Sequence, residues 1–188
     1  LASAITSNKI VSDASKKEIV RRYYQERCNL KMGVGSEETI QKIKLLMNEL
    51  NIDEDYLDVI KPALLKSQKE NVPVISLKIG RKIITGKQTE LLTPAGSLIL
   101  NAMKELAKIP DEMNLLSPKV LQPMLNLKHE LNIGNKLTLP EILTALSICG
   151  ATNPIIEKAL NNLTKLKDCE AHATYIVDNG DKKTIKNL

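Results

Sequence analysis

A change of hydrophobic period constrains this chain more than any other feature. Before residue 72 the apolar residues recur at helical spacing, as in the stripe Ile40, Ile43, Met47 and Leu50. In Val74-Ile75-Ser76-Leu77-Lys78-Ile79 they alternate. Ile75, Leu77 and Ile79 share one side, with Ser76 and Lys78 opposite, the pattern of a half-buried strand. Gly80-Arg81 supplies a two-residue turn into Lys82-Ile83-Ile84-Thr85. After Thr93-Pro94, a helix cap with a first-turn proline, the helical period returns. Ala95, Leu98, Ile99, Ala102, Met103 and Leu106 form one face, and Asn101, Lys104, Glu105 and Lys108 the other. The order predicts an α+β fold, helix-rich with a small antiparallel sheet of about three strands and the helices packed on one face of it. The hairpin falls near 72–85. Residues 1–71 are expected to form a helical N-terminal segment and residues 72–188 an α+β core domain.

The remaining elements follow from local signals. Leu1 to Val11 lack periodicity and are expected to be an extended lead-in. Ser15-Lys16-Lys17-Glu18 reads as a capping box, starting a helix from about Lys16 to Leu30. Pro62 predicts a break. Gly86 to Leu92 reads as a polar loop. Ser117-Pro118 and Asn153-Pro154 are further helix starts. Ile142 to Cys149 is apolar almost all round, so that helix should be buried. Ala171 to Val177 is β-like. Asn179-Gly180-Asp181 is a turn before a short C-terminal helix.

Composition limits the function. The chain has no Phe, no Trp and four Tyr, so its core is aliphatic and it has few rings on which to stack nucleobases. The net charge of +5 has no long run of like charges behind it. Nucleic acid is therefore not an expected partner. No apolar run approaches a membrane span of roughly 20 residues, and residues 1–9 lack the pattern of a signal peptide. Three separated cysteines, Cys28, Cys149 and Cys169, suit reduced thiols and a cytoplasmic location.

Two constellations carry chemistry. Cys149, Asn153 and His172 contain the residue types of a thiol-dependent hydrolase: nucleophile, orienting amide and base. Against this, Cys149 is expected at a helix C-terminus among apolar neighbours, where a thiolate is disfavoured and a core cysteine is the simpler reading. The second is Thr85-Gly86-Lys87 with Thr93. Gly-Lys resembles the end of a phosphate loop, and the helix start at Thr93 offers free N–H groups to an anion. The first glycine of that motif is absent and Gln88 stands where Ser or Thr belongs, so an ordinary surface loop is the simpler reading. Cys169-Glu170-Ala171-His172 has two zinc-ligand types at C-x-x-H spacing. A site needs three or four ligands, and Cys149 or Glu170 would have to complete it, so no metal site is assigned. No cofactor is named by the sequence.

The runs SDASKKEIVRRYY, IITGKQTELL, SLILNAMKEL, LTALSICGATNP and KDCEAHATYI resemble, in this order, the C-terminal part of the bacterial DUF1846 family, a domain of unknown function. The resemblance covers almost the whole chain. It implies a larger cytosolic protein whose N-terminal half carries a glycine-rich phosphate loop and lies outside this sequence. The family's frequent His is replaced here by Asn114. Some members carry a zinc-protease label, which the absence of H-E-x-x-H does not support here. The resemblance implies a module that completes a nucleotide- or phosphate-handling site. The alternative is an interaction or oligomerisation module without chemistry. Expected partners are a second copy of the chain or the N-terminal half.

Overall fold

The computed structural model describes the backbone of Ala2–Leu188 and the side chains from Asn8 onward. It divides into two compact units, residues 1–58 and 59–188.

The first unit pairs two helices. Helix α1 spans Ala2–Lys31 and α2 spans Glu37–Glu49. Leu1 of the expected lead-in lies outside the described residues, but Ala2–Val11 is helical, not extended. Ser15 accordingly does not cap a helix. Its hydroxyl donates back to the Val11 carbonyl at 2.9 Å, within a helix already under way. Val20 and Tyr23 of α1 are buried with Ile40 and Met47 of α2. The tail after α2 is tied back by two phenols: Tyr23 donates to Glu54 at 2.5 Å and Tyr56 to Asp13 at 2.7 Å.

The second unit is built on a three-stranded antiparallel sheet in the order β2-β1-β3. Helix α3 (Ile60–Glu70) precedes β1 (Val74–Ile79) and β2 (Lys82–Lys87). Then come α4 (Pro94–Ala107), α5 (Pro118–Glu130), α6 (Leu139–Gly150) and α7 (Pro154–Leu160). A 3-10 turn, Leu163–Leu166, leads to β3 (Ala171–Ala173) and α8 (Asn179–Asn187). The hairpin register is the one the alternation predicts, with Leu77 opposite Ile84 and Ile79 opposite Lys82. Gly80 takes the turn with φ +59, which a side chain would disfavour. Pro62 lies in the first turn of α3, where its missing N–H breaks nothing.

Two expectations change here. β1 is not half-buried: Val74, Ile75, Ser76 and Leu77 are all buried. Ile75 and Leu77 enter the main core beside α4 and α6. Ser76 points the other way, toward the start of α3, and donates to the Val59 carbonyl at 2.5 Å. The sheet therefore carries helices on both faces, and α3 belongs with the strands. The second change is that β2 runs on to Lys87, so Gly86 and Lys87 are strand residues. Gly86 lets β2 press against α4; a Cβ there would sit 2.2 Å from the Leu98 nitrogen and 2.4 Å from the Pro94 oxygen.

Candidate functional site

The residues of the hydrolase constellation occupy three elements. Cys149 lies in the last turn of α6, half-buried against the core on the α4 side of the sheet. Asn153 caps α7, its side-chain oxygen accepting from the Ile155 and Ile156 amides at 3.0 and 3.4 Å. His172 stands opposite Ser76 in β3, between Ala171 and Ala173. Ala173 packs on the core, so by alternation His172 faces α3. Sulfur and ring thus lie on opposite sides of the sheet. Burial lowers the His172 pKa to about 4, so the ring is neutral at pH 7. Cys169, the other half of the C-x-x-H pair, donates to the Lys165 carbonyl at 3.6 Å and packs toward the core. Burial, with Asp168 nearby, raises its pKa. Among the described residues no group of three or more His, Cys, Asp or Glu is placed to hold a metal ion.

The phosphate-loop residues are also distributed. Lys87 pairs with Glu70 of α3. Thr93 caps α4, accepting from Gly96 N at 3.3 Å, and donates to Asp181 at 2.9 Å. The other Asp181 oxygen accepts from Leu139 N, at the start of α6, at 2.7 Å. One buried carboxylate from α8 therefore joins the N-termini of two helices, where negative charge is favoured. Burial raises its pKa even so, because its donors are neutral groups and Asp178 is close. The anion at the head of α4 is thus supplied by the chain itself. Sequence reading missed Asp181 because it looks like part of an Asn-Gly-Asp turn.

Thr85 belongs to a different place. It lines a cleft of about 720 Å³ beside edge strand β2 and the C-terminal half of α4. Four lysines line this cleft: Lys66 of α3, Lys82 of β2, Lys104 of α4 and Lys108 just beyond it. Glu105 and Asp111 are the two carboxylates among the lining residues, which leaves a formal surplus of two positive charges. Lys66 donates to Thr85 Oγ1 at 2.8 Å, and Lys104 to the Asp111 carbonyl at 2.6 Å. Asn101 ties α4 to β2 by donating to the Thr85 carbonyl at 2.9 Å. Glu105 accepts from Lys82 and Lys108. Hydrogen bonds from Lys108 and Lys82 hold its carboxyl down at about 2. Ile83, Ile84, Ile109 and Pro110 supply apolar wall. The sequence showed the polar face of α4, namely Asn101, Lys104, Glu105 and Lys108. It did not show that Lys66 and Lys82 close over that face.

The N-terminal DUF1846 family model matches residues 1–51, and the C-terminal model, also described as a domain of unknown function, matches residues 55–188. The chain belongs to the DUF1846 family. The chain is similar to the UPF0371 protein of Clostridium tetani (strain Massachusetts / E88), at 39% identity over 98% of this chain and 39% of that protein. It is similar also to UPF0371 proteins of two Clostridium botulinum strains, Eklund 17B and Alaska E43, at 41% and 40% identity over 98% of this chain and 39% of each of those proteins. The chain thus spans 39% of the length of these curated relatives. The C-terminal match contains all of the cleft and the Asp181 junction. Among the described residues, no helix of this DUF1846 chain is long and apolar enough to cross a membrane.

Proposed function

We propose that this DUF1846 chain is a phosphate-handling module that binds an anionic small molecule in the cleft between β2 and α4. The cleft itself carries the reading: about 720 Å³, four lysines from three parts of the chain, and a surplus of positive charge. That volume falls within the roughly 300–1,000 Å³ of ordinary small-molecule sites. Its lining has ammonium donors and an amide but no aromatic ring, which favours recognition of an anionic group over stacking of a base. In a longer family member this cleft would act beside further chain, and chemistry on the ligand would be shared with it.

Thermal denaturation with inorganic phosphate and pyrophosphate tests the reading. A ligand that binds only the folded chain stabilises it by about 2.7 kcal/mol at a hundredfold excess over its Kd. A dose-dependent rise in Tm that disappears in Lys82→Met/Lys108→Met is the expected result. No shift in the wild type, or an equal shift in the double variant, would remove the cleft as the site.

A further inference from the structure

We propose that Glu105 is the cleft's built-in counter-ion, marking where a ligand oxygen binds, and that the ligand is a phosphate monoester. This rests on reading the cleft as an anion site. A single oxygen, Glu105 Oε1, accepts from Lys82 Nζ at 2.7 Å and from Lys108 Nζ at 2.8 Å. Two ammonium groups from separate elements repel one another unless an anion lies between them. The point they share is a place for a negatively charged oxygen, and the carboxylate occupies it.

Backbone conformation shows that Lys108 is held there at a cost. Non-glycine residues with left-handed φ in the described chain are Asn51, Asn71, Lys108, Asn132 and Asp168. Asn and Asp tolerate that region. Lysine adopts it less readily, because its Cβ crowds the following carbonyl oxygen. Lys108 has φ +56 at the C-cap of α4, where glycine is the usual choice. The lysine in this position has its ammonium on Glu105.

The same geometry selects the ligand. Lys82 and Lys108 side chains are 65% and 77% exposed, so their pairs with Glu105 face water and exchange at little cost. A carboxylate ligand would replace Glu105 like for like and gain little. A phosphate monoester brings a charge of about −1.5 to −2 and three acceptor oxygens. It can hold Lys82 and Lys108 together and still reach a third donor of the lining, Lys104 or Asn101.

Calorimetric titration of the full chain with glycerol phosphate, and separately with acetate, tests this. Glu105→Gln is expected to bind glycerol phosphate about tenfold more tightly than wild type, since two charge-assisted donors are released. Glu105→Asp, whose shorter carboxylate strains the pairs, should show a smaller gain in the same direction, and it replaces Glu105→Gln if that variant fails to fold. Glu130→Gln, an equal charge change on exposed surface at the end of α5, should stay within about twofold of wild type. Acetate should bind none of them measurably. If wild type binds glycerol phosphate but Glu105→Gln gains no more than Glu130→Gln, the role of Glu105 is overturned and the cleft reading survives. Acetate binding as tight as glycerol phosphate overturns the ligand class alone. If neither wild type nor Glu105→Gln binds, both readings fall.

Discussion

Two carboxylates in the second unit are each gripped by donors from two elements, and they behave oppositely. Glu105 sits in an open cleft between lysine ammoniums, and its carboxyl is pulled down to about 2. Asp181 is fully buried between the starts of α4 and α6, its donors are neutral, and its pKa is raised. The difference teaches how to tell a structural anion from a replaceable one. Where burial dominates and backbone amides are satisfied, the group closes the fold. Where exposed cations dominate and water reaches them, another anion can take its place.

The largest effect that sharpens this contrast is expected from Asp181→Ala. It strands the Leu139 amide in a buried site and removes the acceptor of the half-buried Thr93 hydroxyl, at a cost of about 3 kcal/mol. Urea denaturation would read this directly, and a loss no larger than that of an ordinary surface change would break the comparison. Gly86→Ala should come next, about 2 kcal/mol, because its methyl group meets the α4 backbone and β2 must move out. The same change should widen the cleft and weaken any phosphate binding there.

The pH dependences should have opposite signs. Asp181 has a folded pKa above its ordinary 3.8, so its stabilising contribution is complete below 3.8 and lost as pH rises through the folded value. The stability of wild type relative to Asp181→Asn should therefore grow as pH falls from 7 toward 3. Glu105 is depressed from 4.5 to about 2, so its contribution is present above 4.5 and lost as pH falls through 2. The advantage of wild type over Glu105→Gln should shrink across that interval. Parallel slopes for the two variants would erase the distinction. The smallest expected effect is that of Glu105→Gln on Tm at pH 7 without ligand, a lowering just outside the scatter of the wild-type midpoint, since the partner lysines are exposed.

Much of the fold was legible because its signals are local. The hairpin follows from alternation around Gly80-Arg81. Thr93, Ser117 and Asn153 each cap the helix their sequence announces, by bonds to amides two or three residues on. The α4 face from Ala95 to Met103 is the core face its spacing implies. The site was much less legible. Of the residues singled out for phosphate, Thr85 lines the cleft, while Gly86, Lys87 and Thr93 do structural work elsewhere. Cys149, Asn153 and His172 remain three residues in three elements.

The sequence by itself determined the element types, the caps and the aliphatic core, because periodicity and capping depend on neighbours within a turn or two. Tertiary structure alone decided three things. It buried Ser76 under α3 through a bond to Val59, 17 residues away. It brought Asp181 to Thr93 and Leu139, 88 and 42 residues distant. And it closed Lys66 and Lys82 over the polar face of α4. Such contacts join groups whose local surroundings carry no trace of one another, so no periodicity records them. They arise only when helices settle on both faces of a sheet and leave one edge open.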